Sequence, residues 1–131
     1  MQGLQARMTK GLTIGSRLIC DDNSGAKIVE IIGVKKTKAR LRRLPKAGIG
    51  DVVIAAVKKG KPEMVGTKVL ALIVRQRKEF RRSKMRVKFE DNACVLIDDQ
   101  NLPKATEIKG CVAREISERF AKVVPNAPAV V

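Results

Sequence analysis

Eight cations, Arg75, Arg77, Lys78, Arg81, Arg82, Lys84, Arg86 and Lys88, fall within fourteen residues against the single acid Glu79. Their chemistry is the neutralisation of anionic oxygen. A guanidinium gives two parallel hydrogen bonds to one phosphate, and an ammonium supplies a compact charge beside it. No fold needs such a self-repelling cluster for its own stability, so an external polyanion is its natural complement. A lone Lys/Arg run is usually a solvated face, but here the pattern recurs. Lys35, Lys36, Lys38, Arg40, Arg42, Arg43 and Lys46 crowd KKTKARLRRLPK, and Lys58, Lys59 and Lys61 form a basic turn, KKGKP. From Lys35 to Lys88 there are 19 basic and 3 acidic residues, a net of +16, whereas the flanks hold 9 basic and 10 acidic. The formal charge of +15 therefore belongs to the middle of the chain.

Other chemistries lack their groups. There is no histidine and no recognisable nucleophile motif, which argues against an enzyme. Cys20, Cys94 and Cys111 are odd in number and widely spaced, fitting neither a zinc pattern nor a disulfide framework, and read as small buried hydrophobes. Asp21 and Asp22 have no third acidic ligand nearby, so a metal site is the weaker reading of that pair. Gly48-Ile49-Gly50 lacks the remaining glycine and the Gly-Lys-Ser/Thr of a phosphate loop. No cofactor, metal or small-molecule substrate is expected.

The kind of polyanion follows from what is missing. Readers of single-stranded RNA stack bases on aromatic rings, yet the only aromatics are Phe80, Phe89 and Phe120. Phe80 lies inside a basic run, where it equally serves to anchor that run to the protein. Lys and Arg against phosphate remain, which points to a folded RNA recognised by shape and backbone. A basic DNA-binding or architectural protein is the alternative, but no basic helix suits the major groove. A membrane surface is disfavoured because the basic runs are not amphipathic helices. No apolar run reaches the ~18 residues of a membrane span, and the N-terminus lacks a signal-peptide core, so a cytoplasmic protein is expected.

These groups must be held by a core, and 44% hydrophobic residues supply one. Val69–Val74 is an apolar run of strand length, suited to a strand packed on both faces. Strands are predicted at 17–20, 26–34, 51–57, 67–77, 85–89 and 93–98, separated by turn-forming clusters such as Asp21-Asp22-Asn23-Ser24-Gly25. Short strands at this spacing predict a small antiparallel β-barrel. Val112, Ile116, Phe120 and Val123 recur at intervals of 4, 4 and 3, which predicts a C-terminal helix capping the barrel and ending at Pro125. The length suits one domain: residues 1–10 a loose N-terminal extension with Met8 an alternative start, 11–110 barrel and ribbon, 111–131 helix and tail. From Phe89 onward five basic residues meet seven acidic ones, so this third is expected to face protein, through Glu115, Glu118 and Arg119, or solvent.

Several stretches, in order, carry a family resemblance: Cys20–Lys27 (CDDNSGAK), Arg42-Arg43-Leu44-Pro45 with Gly48–Asp51, Lys58–Pro62 (KKGKP), Val74–Lys78 (VRQRK) with Arg81-Arg82, and Phe89–Ala93 (FEDNA). Together they closely resemble the family of the universal fourteenth protein of the large ribosomal subunit. The archaeal and eukaryotic branch is nearest, the branch of the eukaryotic large-subunit protein twenty-three. Where many bacterial members have an Asp-Gly turn before the position of Phe89, this chain has Ser83-Lys84-Met85-Arg86. The resemblance implies a mainly β protein: a five-stranded antiparallel barrel with a projecting β-ribbon and a short C-terminal helix, so one of the six predicted strands belongs to the ribbon. It implies binding to large-subunit rRNA at the subunit interface and an intersubunit bridge to small-subunit rRNA. It further implies contacts with neighbouring ribosomal proteins and docking of the anti-association initiation factor.

Overall fold

The computed structural model describes residues 6–35 and 41–131. Its strands are β1 (Ala6–Arg7), β2 (Arg17–Cys20), β3 (Ala26–Val34), β4 (Val52–Gly60), β5 (Lys68–Arg75), β6 (Phe80–Arg82), β7 (Met85–Val87) and β8 (Ala93–Ile97). Five of them close into a barrel in the order β2-β3-β4-β5-β8, and β1, β6 and β7 form a second sheet with β6 in the middle. The strand predicted at 85–89 is thus the one that belongs to the ribbon, where it pairs with a strand the sequence reading did not resolve, Phe80–Arg82.

The expected all-antiparallel barrel is corrected at one seam. Each neighbouring pair from β2 round to β8 is antiparallel, but β2 and β8 run parallel, with Ile19 opposite Ala93 and Cys20 opposite Cys94. Five is odd, so a ring of strands alternating in direction must bring two like-directed strands together where it closes. The barrel is therefore mixed.

Burial follows the pleat. In β4, Val53, Ala55 and Val57 point inward while Ile54 and Ala56 are only partly covered, and the strand ends on exposed Lys58 and Lys59. β5 departs from alternation: Val69, Ala71, Leu72, Ile73 and Val74 are all buried, as are all five residues of β8. A strand buried on both faces needs an outer cover, and the C-terminal segment provides it. The Ala113 N–H donates to the Val74 carbonyl at 3.1 Å, and Val112, Ile116, Phe120 and Val123 are each no more than 2% exposed.

The stripe thus covers the barrel as expected, but not as a continuous helix. The segment has only two 3-10 turns, Arg114–Ile116 and Val124–Asn126. Both ends of the segment are drawn into extended pairing, Val112 with Val130, which a helix from Val112 onward would forbid. β-branched Val112, Ile116, Val123 and Val124 also weaken helical preference.

Residues 6–10, expected in a loose extension, are tied down. β1 pairs with β6, the Thr9 hydroxyl donates to the Glu79 carbonyl, and Lys10 Nζ lies 3.2 Å from Asp51 Oδ2. Buried Gln76 joins the same region, donating to the carbonyls of Thr9 and Lys78 and accepting from Ile49 N–H, each at 3.0–3.1 Å.

The three cysteines are free thiols, two of them buried. A hydrogen bond with Cys20 and burial, helped by the neighbouring charges of Asp22 and Asp21, push the Cys94 thiol well above its usual range. Because the thiolate is the reactive form, N-ethylmaleimide on the native chain should label partly exposed Cys111 while Cys20 and Cys94 react only after denaturation. Peptide mass spectrometry reads this directly, and equal labelling of all three in native buffer would contradict the burial.

Candidate nucleic-acid interface

The predicted anion-binding residues fall into two groups once each is followed to its surroundings. Arg42, Arg43, Lys46, Lys58, Lys59, Lys61, Arg77, Lys78, Arg81, Lys84, Arg86 and Lys88 are exposed, and Lys35 is half-buried. Lys36, Lys38 and Arg40 lie outside the described residues. Among the exposed group, Lys58 has Glu30 at 3.4 Å and Arg86 has Glu79 at 3.8 Å, both pairs substantially open to solvent. Exposed pairs of this kind hold a cation only weakly, on the order of 0–1 kcal/mol. The other exposed cations of this group have no carboxylate within 4 Å among the described residues.

Their positions follow from strand ends and tight turns. Lys58 and Lys59 lie at the end of β4 and Lys61 just past it; Lys84 belongs to the two-residue turn that brings Arg82 opposite Met85; and Arg81 and Arg86 face each other across the ribbon. Like charges directly opposite on a hairpin are destabilising, so Arg81 and Arg86 work against the ribbon's own folding.

Arg75 and Arg82 are the other group, and here the sequence expectation is corrected. Arg75 ends β5 only 7% exposed. Its Nη1 donates to Asp21 Oδ2 at 2.7 Å and to the Cys111 carbonyl at 2.8 Å, while Nε and Nη2 clasp Asp91 at 2.8 and 3.1 Å. Burial works against the charge, but the hydrogen bonds and charges of Asp91 and Asp21 outweigh it and hold the guanidinium above even its usual range. Four of its five N–H groups are engaged within the protein, so no paired fork is left for phosphate.

Arg82 repeats the device on the ribbon. Nε and Nη2 grip the two oxygens of Glu115 at 2.6 and 2.7 Å, Nη2 also reaches the Val131 carbonyl at 3.0 Å, and the guanidinium stands over the Phe80 ring at 5.6 Å. Arg82 is inward because strand alternation puts it on the face opposite Arg81. Glu115 is thereby withdrawn from any protein-facing surface, its side chain 9% exposed. Glu118 and Arg119 are exposed, Arg119 lying 5.4 Å over the Phe120 ring.

Sequence reasoning also missed what the acids do. Asp21 and Asp22 serve different partners. Asp21 Oδ2 accepts from Arg75 and from the Gly110 N–H at 2.8 Å. Asp22 accepts from Cys20 Sγ, from the Ser24 N–H and hydroxyl, and from the Leu96 N–H. Any Cβ on Gly110 would push into the clasp, lying 2.5 Å from Asp21 Oδ2 and nearer still to Arg75 Nη1. The partners of Arg75 are 54 and 16 residues away, and the available signal was its place directly after six apolar strand residues.

With this geometry in hand, the comparison with known proteins is decisive. The model of the family ribosomal protein L14p/L23e matches residues 11–131. The chain belongs to this family. The large ribosomal subunit protein uL14 of Methanocella arvoryzae is 52% identical over 132 aligned residues, covering 100% of both chains. Those of Halorubrum lacusprofundi and Methanothrix thermoacetophila are 49% and 48% identical, again over 100% of both chains. The L14p/L23e match thus spans the barrel, strands β6 and β7 of the ribbon, and the C-terminal cover, which hold both the exposed cations and the two internal arginine clasps.

The two groups differ in what substitution does. Removing one partner of a buried pair strands the other charge, at about 3–5 kcal/mol. Arg75→Ala, which strands buried Asp21, should lower urea-unfolding stability by that order; Asp21→Asn should cost less, because Asp91 still pairs Arg75, and Gly110→Ala should lower stability with no change of charge. Arg77→Ala, by contrast, should stay within about 0.5 kcal/mol. An Arg75→Ala protein as stable as Arg77→Ala would refute the clasp.

Proposed function

We propose that the chain is a structural constituent of the large ribosomal subunit, binding large-subunit rRNA through Lys35–Lys46, Lys58–Lys61 and the exposed cations between Arg77 and Lys88. The observation that carries this reading is the sorting of charge: among the described residues Arg75 and Arg82 are held in buried ion pairs, and most of the other cations stand on a well-packed frame with no carboxylate within 4 Å. Such a surface binds by displacing counterions from phosphate, so its affinity falls as salt rises. Its arginines favour bidentate phosphate contacts and its lysines point-charge contacts. With few aromatic rings beside them, backbone and shape are read in preference to bases.

On this reading the protein works in the cytoplasm as part of the ribosome, among neighbouring ribosomal proteins. It lies at the subunit interface, contributes a bridge to small-subunit rRNA and offers a surface for the anti-association initiation factor. The near-neutral C-terminal third supports the last assignment, with Glu118 and Arg119 among its exposed polar groups. No catalytic step is involved.

Each of Arg77→Ala, Lys78→Ala and Arg81→Ala should reduce the slope of log affinity for large-subunit rRNA against log salt by about 0.7–0.9 for each phosphate left without its cation. Unchanged slopes would take these residues out of the interface. In sucrose gradients of a native extract the protein should travel with large subunits and whole ribosomes and resist high salt. Migration as free protein at both salts would sink the ribosomal reading and favour the DNA-binding alternative. Reversing Glu118 and Arg119 together should weaken capture of the factor, and undiminished capture would leave those two residues to solvent.

A further inference from the structure

Three lysines from three separate parts of the chain line one cleft of about 450 Å3: Lys27 at the start of β3, Lys61 just after β4, and Lys109 in the segment leading to the C-terminal cover. All three are exposed, and none has a carboxylate within 4 Å among the described residues. The one acid in the lining, Asp22, is 2% exposed, and both its oxygens are taken by Cys20, Ser24 and Leu96. The cleft therefore presents three lysine charges against a single buried carboxylate, a net positive charge, and the oxygens of that carboxylate already accept from the protein itself.

Its floor is held in place backbone to backbone. Lys61 N–H donates to the Gly25 carbonyl at 3.0 Å and Lys109 N–H to the Asp21 carbonyl at 2.7 Å. Gly25 and Gly60 meet so closely that a Cβ on Gly60 would stand 2.6 Å from the Gly25 oxygen. The two glycines thus let the turn before β3 and the end of β4 pack closely, which sets the spacing of Lys27 and Lys61 across the cleft. The lysine stems are partly fixed as well: the methylenes of Lys61 lie over Gly25, within 3.0–3.5 Å of where its Cβ would be. Lys109 belongs to the near-neutral third that the sequence assigns to protein or solvent, and the pairing of its segment with Asp21, Asp22 and Asn23 brings it here.

We infer that Lys27, Lys61 and Lys109 form a phosphate-binding cleft for the RNA sugar-phosphate backbone, separate from the basic stretches at 35–46 and 77–88. The inference rests on the rRNA-binding reading given above and adds Lys27 and Lys109 to it. An RNA backbone fits better than an isolated phosphate because the cleft is open and its charges come from long, solvent-reaching side chains, which suit successive phosphates on a strand.

The test uses the full-length chain and purified large-subunit rRNA. The salt slope of binding is measured for wild type, for Lys27→Gln/Lys61→Gln/Lys109→Gln, and for Arg77→Gln/Lys78→Gln, with inorganic phosphate replacing chloride at equal ionic strength as a further arm. The triple substitution should lower the slope by about two units, since each phosphate left without its cation takes away roughly 0.7–0.9, and circular dichroism should be unchanged because all three side chains are exposed. A slope unaltered by the triple substitution but lowered by Arg77→Gln/Lys78→Gln would overturn the cleft, take Lys61 out of the interface, and leave the rRNA reading standing on the other cations. Slopes unaltered by both would overturn the two together. If inorganic phosphate at matched ionic strength erased the difference between wild type and the triple variant, the cleft would be a free-phosphate site and the RNA assignment would fail.

Discussion

The rest of the structure depends on one guanidinium withdrawn from water at the end of β5. Arg75 joins Asp21, directly after β2, to Asp91, just before β8, and to the Cys111 carbonyl at the start of the C-terminal cover. β2 and β8 are the strands that close the barrel in parallel, through only two register pairs. That is the shortest pairing in the ring, and parallel pairs are slightly weaker per residue. Arg75 clamps the two strand ends from outside the ladder, so barrel closure and attachment of the cover share one set of ionic hydrogen bonds. Asp21 also accepts from the Gly110 N–H through its carboxylate and from the Lys109 N–H through its main-chain carbonyl, so the residue that holds Arg75 also anchors one wall of the surface cleft.

Arg82 and Glu115 perform the corresponding service for the ribbon, which would otherwise be three short strands loaded with mutually repelling cations. The clasp fastens β6 to the C-terminal cover, and β1 adds a third strand on its other side. The ribbon is thus presented on a fixed support even though Arg81 and Arg86 oppose each other across it. Stability comes from the two internally neutralised arginines and the apolar core, and the exposed cations contribute a field directed outward. Such a division lets a strongly basic protein fold while keeping its charge available to a polyanion.

Membership of the ribosomal L14p/L23e family and the sorting of charge are independent observations that converge. The family match concerns the order and type of residues along the chain, whereas the sorting concerns which of them face outward. Neither alone distinguishes a phosphate-binding lysine from a solvated one, and that distinction rests on the salt dependence of binding.

Much was determined by the sequence itself. Runs of β-branched residues broken by Gly, Asn and Asp clusters define the strands locally, and β3 runs over the predicted residues because both its pattern and its bounding turns are local. The concentration of cations between residues 35 and 88 is likewise a property of order alone. What tertiary structure decided is whatever depends on distant partners. The parallel seam follows from an odd strand count closing on itself. The C-terminal stripe is buried as its periodicity demands, yet edge pairing of Val112 with Val130 excludes the helix. Above all, Arg75 and Arg82 look no different in sequence from Arg77 and Arg81. Their carboxylates lie up to 54 residues away, and only folding brings those charges close enough to turn two apparent ligand-binding residues into the fastenings of the frame.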